Sequence, residues 1–221
     1  MAPIVLPLLD EGRGRPLPTT VYIPESGPNA PLIVFGHGIW GHPRKFGRLF
    51  ARWVEAGYVV AAPAFPHTSD ENPPPYLRED VANQPADVSF VFDELLARGV
   101  GDPERIGVGG FSLGAATALA VGLHPRYADP RIGAVVAVAG GLFHHAAFAR
   151  DALRPLPLLL IYGTSDKGYQ EVRQLYEAAQ EPKQLETIDG AGHGICQDDG
   201  EPHTSRVADL TIAFWNRYLR T

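Results

Sequence analysis

The sequence predicts an α/β protein with a mostly parallel central sheet flanked by helices, on three observations. Short runs rich in Val, Ile, Leu and Ala alternate with segments of helical periodicity along most of the 221 residues, which is typical of β-α-β units. The runs are nearly continuous in apolar residues, as in strands that are buried on both faces. The 24 glycines and 21 prolines lie between these segments, so we expect one domain over residues 1–221.

The order of the elements follows from where each apolar or periodic segment lies. Strands are predicted at residues 4–9, 19–23, 32–35, 58–64, 106–109, 132–139 and 158–162, with a further apolar stretch at 185–188. Helices are predicted between and after these strands at residues 43–56, 86–98, 113–122, 169–179 and 205–218. The gap between the strands at 132–139 and 158–162 is too short for several helices, so we expect no large lid domain.

The longest stretch without periodicity covers residues 65–81 and follows the end of a predicted strand. In open parallel sheets that edge is where ligands bind, and long loops there often carry function. A solvated surface loop is the alternative interpretation.

Composition and charge exclude several classes of protein. A formal net charge of −6 argues against nucleic acid or an anionic membrane surface as the main partner. No apolar run reaches the ~20 residues that a membrane helix needs, so we expect no stable membrane insertion. The single cysteine, Cys196, forms no intramolecular disulfide, which suits the cytoplasm. A secreted protein whose signal was trimmed is the alternative.

The strongest local signal is Gly-Phe-Ser-Leu-Gly at residues 110–114, a G-x-S-x-G motif that follows a predicted strand and opens a predicted helix. A serine on so sharp a turn needs small flanking residues, which Gly110 and Gly114 supply. Its hydroxyl then projects at the helix N-terminus, where the dipole and free N–H groups can stabilise an oxyanion. Ser112 is therefore the candidate nucleophile, and a glycine-rich turn with a chance serine is the alternative.

A serine hydroxyl needs an adjacent base, most often histidine. His193 is the candidate among eight histidines because it lies in a flexible Gly-Ala-Gly-His-Gly turn, residues 190–194. Asp166 is the candidate orienting acid, since it follows a buried strand and preserves the order Ser, Asp, His. Asp151 and Asp189 are weaker alternatives, because the first lies well beyond its strand and the second closes one.

A second glycine-rich turn, Gly-His-Gly-Ile-Trp-Gly at residues 36–41, follows the strand predicted at 32–35. Such a turn can point a backbone N–H group into a site, and an oxyanion needs preorganised donors from two converging loops. We expect these donors to be the N–H groups of Ile39 and Leu113. His37 is expected to bond loop backbone rather than to take part in the chemistry.

The His-Gly turn, the G-x-S-x-G motif, an aspartate after a late strand and a C-terminal Gly-His-Gly together resemble the α/β-hydrolase family over nearly the whole chain. Within it, residues 13–24, 37–41 and 83–87 are similar to dienelactone hydrolases and to related platelet-activating-factor acetylhydrolase-like, chlorophyllase-like and cutinase-like polyester hydrolases. The resemblance implies that the candidate serine, histidine and aspartate form a catalytic triad and the two N–H groups an oxyanion hole.

Two departures narrow this resemblance. Dienelactone hydrolases use a cysteine nucleophile where this chain has Ser112, and secreted cutinase-like enzymes commonly carry a C-terminal disulfide that Cys196 alone cannot form. We therefore expect a serine carboxylesterase, and the lack of room for a large lid leads us to expect small-molecule esters of short to medium acyl chains as its substrates. The alternatives are lactone or polyester hydrolysis, acyl transfer or thioester hydrolysis on the same triad, and a homologue that only binds a small molecule.

Five residues beside strand ends or triad residues are candidates for the substrate wall, with core packing as the alternative: Trp40, Phe65, His67, Phe143 and Ile195. The neighbouring His144 and His145 are not expected to hold a metal, because adjacent side chains point in different directions and no carboxylate lies nearby. The chain also has no H-E-x-x-H, Walker A or G-x-G-x-x-G motif. We therefore expect the chemistry to need no cofactor and no metal.

Overall fold

The computed structural model describes residues 2–71, 75–142, 148 and 153–220, and strands and helices alternate within them. Its strands are β1 (Ile4–Asp10), β2 (Arg15–Tyr22), β3 (Pro31–Gly36), β4 (Val59–Pro63), β5 (Asp102–Phe111), β6 (Ile132–Val138), β7 (Leu158–Gly163) and β8 (Lys183–Ile188). Its α-helices are α1 (Gly47–Glu55), α2 (Gln84–Ala97), α3 (Leu113–Leu123), α4 (Tyr169–Ala178) and α5 (His203–Leu219). Short 3-10 helices at Pro43–Phe46 and Arg78–Ala82 precede α1 and α2.

In the described part of the chain, the strands form an eight-stranded sheet in the order β1-β2-β4-β3-β5-β6-β7-β8. Strand β2 is antiparallel to both neighbours, and the neighbouring pairs from β4 to β8 are all parallel. The chain crosses from β3 to β4 on one side and then to β5 on the other. At such a switch point the following loops diverge and leave a crevice outside the carboxyl ends of the strands. The loops after β3 and β5 border that crevice.

The predicted elements are present, and the differences lie at their ends. The helix predicted from residue 43 begins as a 3-10 helix with a proline at its start, and α1 itself begins at Gly47. The loop predicted over residues 65–81 closes with the 3-10 helix Arg78–Ala82. Strand β5 begins at Asp102 rather than at residue 106, because Asp102 pairs with Pro31 of β3 ahead of a register shift.

Helix α3 is buried along its whole length because its sequence is almost entirely small or apolar. A Cβ on Gly114 would lie 2.1 Å from the carbonyl oxygen of Gly36, and one on Gly122 would lie 2.3 Å from Cγ2 of Val135. Glycine at these positions therefore lets the helix backbone approach the sheet closely. This close approach holds the N-terminus of α3 at the carboxyl edge of the sheet.

Helices α1 and α5 cover the opposite face. A Cβ on Gly107 of β5 would meet the ring of Trp215 in α5, whereas a Cβ on Gly110 would meet the backbone of α3, as expected for residues that alternate across a strand. The rings of Trp53 in α1 and Trp215 pack edge to face with centroids 6.1 Å apart. Trp53 Nε1 also donates to Thr211 Oγ1 at 2.8 Å, so the two helices are joined by both packing and a buried hydrogen bond.

The connection between β6 and β7 covers residues 139–157, which is too short for a separate lid domain. Its residues 143–147 and 149–152 lie outside the described part of the chain. Among the described helices, none is both long and apolar enough to cross a membrane.

Candidate active site

Ser112 is the single residue between the end of β5 and the start of α3, and it adopts φ 55° and ψ −114°. A positive φ is uncommon for a residue with a side chain and marks a backbone held by its surroundings. The Ser112 N–H donates to the carbonyl oxygen of Val138 at 2.9 Å. A Cβ on Gly110 would lie 2.1 Å from the Gly114 oxygen, and one on Gly140 would lie 2.3 Å from the Ser112 oxygen. The sharp turn therefore depends on glycine at these neighbouring positions.

The side chains of Ser112, His193 and Asp166 form a continuous row. His193 Nε2 lies 3.0 Å from Ser112 Oγ, and His193 Nδ1 lies 2.7 Å from Asp166 Oδ2. An ionised carboxylate only accepts hydrogen bonds, so Nδ1 is the ring nitrogen that carries the proton beside it. Nε2 is then free to accept from the serine hydroxyl. The loops after β5, β7 and β8 open at the same edge of the sheet, which brings these three residues together.

The histidine and its acid lie in very different environments. The His193 side chain is 52% exposed, whereas that of Asp166 is 10% exposed. The imidazole packs against the ring of Phe111, with centroids 5.0 Å apart. Below it, the N–H of Ser165 donates to the carbonyl of Ala191 at 3.0 Å and joins the two loops that carry the acid and the base. The base thus has access to solvent while its orientation is held from below.

Tyr162 is a further member of the site, in β7 beside Asp166. Burial, and then the neighbouring Asp166 carboxylate, raise the pKa of the Tyr162 phenol above its ordinary value, so the hydroxyl stays protonated at neutral pH. A Cβ on Gly168 would lie 2.1 Å from the Tyr162 hydroxyl oxygen. Glycine at this position therefore leaves the space that the hydroxyl occupies.

The backbone N–H groups of Ile39 and Leu113 come from two different segments, the loop after β3 and the start of α3. Both residues border the cavity that Ser112 lines. Leu113 is the first residue of α3, where a helix has no acceptor for the N–H group. Among the described residues, neither N–H donates to another backbone or side-chain acceptor. Gly38 carries the first loop past the serine, since a Cβ on it would lie 3.0 Å from Ser112 Cβ.

His37 stabilises the loop after β3 from inside the protein, which is the role expected from the sequence. It is 1% exposed; its Nδ1 lies 2.7 Å from the Gly38 oxygen, and its Nε2 accepts from the N–H of Phe65 at 3.0 Å. These partners place the proton on Nδ1. Burial lowers the pKa of His37 to about 4, so the ring is neutral at physiological pH.

The cavity over Ser112 has a volume of about 480 Å³. Besides the residues described above, its border includes Arg78 from the 3-10 helix before α2, and Lys167 and Glu171 from the segment after β7. Sequence reasoning missed these three and Tyr162. Tyr162 lies near the end of a buried strand and shortly before Asp166, which is a usable signal, whereas nothing local to Arg78 distinguishes it from other surface arginines.

The four described members of the predicted substrate wall do not border this cavity. Phe65 and Ile195 are 0% and 1% exposed and belong to the core. A residue that follows a strand can still be covered by neighbouring elements and so need not face the cavity. Trp40 and His67 are exposed and adopt φ 56° and 67°, conformations that the sequence does not signal. Phe143 lies outside the described residues.

Asp189, one of the two alternative acids, does not compete with Asp166 in the described structure. Asp189 Oδ1 accepts from Thr164 Oγ1 at 3.0 Å and is not the partner of the His193 ring. Asp151, like the pair His144 and His145, lies outside the described residues.

The eight-stranded, mostly parallel sheet with helices on both faces is the α/β-hydrolase fold. The chain belongs to the dienelactone hydrolase family, whose model matches residues 17–221. No match was found among curated proteins.

Solved structures share this fold at low sequence identity. The esterase domain of a Rhodothermus marinus protein is 17% identical with a TM-score of 0.75, over 99% of this chain and 100% of that chain. Ferulic acid esterase from Streptomyces cinnamoneus is 19% identical with a TM-score of 0.78, over 99% and 88%. A butyrate-bound esterase from Thermogutta terrifontis is 19% identical with a TM-score of 0.72, over 96% and 93%. At these identities the likeness shows the fold.

Proposed function

We propose that this protein is a serine carboxylic-ester hydrolase that works through an acyl-enzyme. The observation that carries the proposal is the row of Ser112, His193 and Asp166, with separations of 3.0 and 2.7 Å. Membership of a hydrolase family and the esterase names of the structural neighbours support it. A protein that only binds a small molecule has no need of all three side chains in this order, so the geometry favours an enzyme.

Acylation follows from the positions of the named atoms. Ser112 Oγ attacks the ester carbonyl carbon while His193 Nε2 takes the hydroxyl proton, and Asp166 stabilises the imidazolium that results. The carbonyl oxygen becomes an oxyanion that accepts from the N–H groups of Ile39 and Leu113. When the intermediate collapses, the carbon–oxygen bond to the alcohol breaks, and His193 returns its proton to the departing alkoxide.

Deacylation repeats these steps with water. His193 Nε2 takes a proton from a water molecule, whose oxygen attacks the acyl carbon of the Ser112 ester. The second oxyanion uses the same two N–H groups. Collapse expels Ser112 Oγ, which recovers its proton from His193, and the carboxylic acid leaves. The 52% exposure of the His193 side chain is consistent with this access of water.

The proposed substrates are small esters with short to medium acyl chains. A cavity of about 480 Å³ lies within the roughly 300–1,000 Å³ of small-molecule sites. The neighbours' names point the same way, since one is a ferulic acid esterase and another was solved with butyrate. The serine nucleophile favours esters over the lactone for which the family is named. We propose the cytoplasm as the compartment, because the chain's cysteine, Cys196, is buried and free.

The decisive experiment is hydrolysis of a series of p-nitrophenyl esters, from acetyl to palmitoyl, by the wild type and by Ser112→Ala. We expect kcat/KM to be highest for short chains and kcat to fall by about 10⁶-fold in the variant. Ser205→Ala is the matched control, because that hydroxyl lies on α5 and bonds Glu201. Equal turnover by Ser112→Ala would refute the role of this serine, and a wild type inactive on every ester would refute the esterase.

A further inference from the structure

Gln84 is a buried polar residue to which the mechanism above assigns no role. It is the first residue of α2, within the Asn-Gln-Pro-Ala-Asp segment at residues 83–87. Its side chain is 0% exposed, and a buried amide needs hydrogen-bond partners because it has lost those of water. The identity of those partners shows what the residue joins.

Both ends of the Gln84 amide bond a buried threonine. Gln84 Nε2 donates to Thr68 Oγ1 at 3.1 Å, and Thr117 Oγ1 donates to Gln84 Oε1 at 2.5 Å. Thr68 is 0% exposed and Thr117 is 1% exposed, so water does not compete for these bonds. The amide therefore links the loop after β4 to α3.

The Thr68 end leads to the first of the two free N–H groups. The carbonyl of Thr68 accepts from the N–H of Trp40 at 2.8 Å, and the N–H of Asp70 donates to the carbonyl of Gly41 at 3.0 Å. These two bonds pair the loops after β3 and β4 as a short parallel bridge. Trp40 directly follows Ile39, so the bridge holds the Ile39–Trp40 peptide, which is next to the peptide that carries the Ile39 N–H.

The Thr117 end leads to the second free N–H group. Thr117 lies one turn into α3 after Leu113, and its Oγ1 is 3.3 Å from the Leu113 carbonyl oxygen. The same hydroxyl thus contacts both Gln84 and the first turn of the helix. The position of Leu113 depends in part on where the Gln84 amide holds that turn.

We propose that Gln84 is a positioning residue that sets the spacing between the Ile39 and Leu113 N–H groups. The inference rests on the proposed function, because it takes these groups to be the oxyanion donors. Two donors on separate loops stabilise a developing charge only when their separation is held before the reaction. A glutamine side chain suits this task, since its planar amide can donate to one threonine and accept from the other.

The test compares Gln84→Met with the wild type on a short-chain p-nitrophenyl ester. Methionine keeps similar length but removes both hydrogen bonds. We expect kcat to fall about tenfold while KM stays within twofold of the wild type. The fall is smaller than the factor of about 10²–10³ in kcat that follows the loss of a whole oxyanion donor, because here the donor is only displaced. The inhibition constant of an alkyl trifluoromethyl ketone, whose adduct with Ser112 carries an oxyanion, should rise by the same factor as kcat falls. A structural role alone would not move this inhibitor selectively.

Thr68→Val and Thr117→Val remove the two partners one at a time and keep the side-chain shape. Each of these variants should have a lower kcat than the wild type. The kcat of the Gln84→Met/Thr117→Val double variant should be no lower than that of Gln84→Met alone, because the residues act as one unit. Thr211→Val is the matched control. It removes a buried threonine hydroxyl that bonds Trp53 on the opposite face, and we expect it to lower the melting temperature without changing kcat or the inhibition constant.

The inference is overturned if the wild type hydrolyses esters through Ser112 while folded Gln84→Met keeps kcat and the inhibition constant within twofold. It is also overturned if Thr211→Val loses as much kcat as Gln84→Met. Should Gln84→Met fail to fold, the two threonine variants decide the matter by the same criteria. A wild type without ester turnover is a different result, since it refutes the proposed function itself.

Discussion

The two halves of the candidate site are built by different means. Apart from the Ser112 hydroxyl, the candidate functional groups around β3, β5 and α3 are backbone atoms, and glycines pack so closely that a Cβ on Gly114 would lie 2.1 Å from the Gly36 oxygen. In the loops after β7 and β8 the functional groups are side chains, held by hydrogen bonds, with His193 52% exposed. The first region can be called the backbone half and the second the side-chain half.

This difference matches what each half has to do. An N–H group cannot be re-aimed without moving its peptide, so its position is best held by close backbone packing and buried bonds such as those of His37 and Gln84. A base has to exchange protons with substrate and water, so its ring needs solvent access and an orientation set by a partner such as Asp166. Substitutions in the side-chain half should therefore lower kcat, whereas substitutions in the backbone half should lower the free energy of unfolding.

Among the substitutions that compare the two halves, the largest effect is expected in the side-chain half. Asp166→Asn keeps the shape of the acid but can present an N–H to His193 Nδ1, which favours the wrong tautomer and should lower kcat by about 10⁴-fold. KM and the free energy of unfolding should change little, because asparagine has nearly the same size and shape as aspartate. Steady-state kinetics and urea denaturation of the purified variant measure both.

Asp189→Asn is the control for that experiment, because Asp189 follows β8 and bonds Thr164. We expect its kcat to stay within twofold of the wild type. If kcat fell by a similar factor in both variants, the loss would not be specific to Asp166. Full activity in Asp166→Asn would assign the orienting role to another residue.

The backbone half should instead respond through stability. Gly114→Ala forces a Cβ against the backbone of Gly36, where no side-chain rotation relieves the overlap, so we expect the free energy of unfolding to fall by about 3 kcal/mol. In Gly133→Ala, in strand β6, the nearest atoms would lie at 3.6 and 3.7 Å, an ordinary contact, and the free energy of unfolding should change by no more than about 1 kcal/mol. Urea denaturation compares the pair, and equal losses would show that the close approach at Gly114 is not required.

The smallest expected effect is on the pH dependence of stability, and it comes from His37 in the backbone half. The pKa of His37 is lowered from 6.5 to about 4 by burial, so between these values the unfolded chain binds a proton that the folded chain does not. This contribution to stability is complete above pH 6.5 and decreases as pH falls toward 4. Between pH 6.5 and pH 5 the free energy of unfolding should fall by about 2 kcal/mol for this reason.

His37→Gln should remove this dependence. We expect the slope of unfolding free energy against pH, from urea denaturation between pH 5 and 6.5, to decrease by about one proton relative to the wild type. Identical slopes in the two proteins would contradict the neutral, buried state of His37.

The sequence predicts the candidate triad and misses most of the cavity wall, for one reason. Ser112 and His193 lie in glycine-rich turns that directly follow strands, and such turns are recognisable from a few neighbouring residues. Trp40 and His67 also follow strands, but they have positive φ values and do not border the cavity, and no local pattern signals that conformation. Side-chain direction at a strand end therefore has to be read from the structure.

Buried polar partners are a second feature that sequence reasoning did not find. Arg15 is buried and bonds both Asp80 and Asp87, which lie 65 and 72 residues further along the chain. Gln84 and Thr117 are likewise 33 residues apart. Composition shows that these residues are present, but their pairing depends on which helices pack together.

The sequence by itself determined the features that arise from local physics. Apolar periodicity predicts the alternating strands and helices, and the glycines around Ser112 permit a turn that residues with a Cβ would block. Only the tertiary structure decided that Ser112 and His193, 81 residues apart, meet at one edge of the sheet. It also decided that the Gln84 amide links the loop after β4 to α3. Strand order and helix packing are collective properties of the core, so contacts between distant residues follow from the completed fold rather than from any short segment.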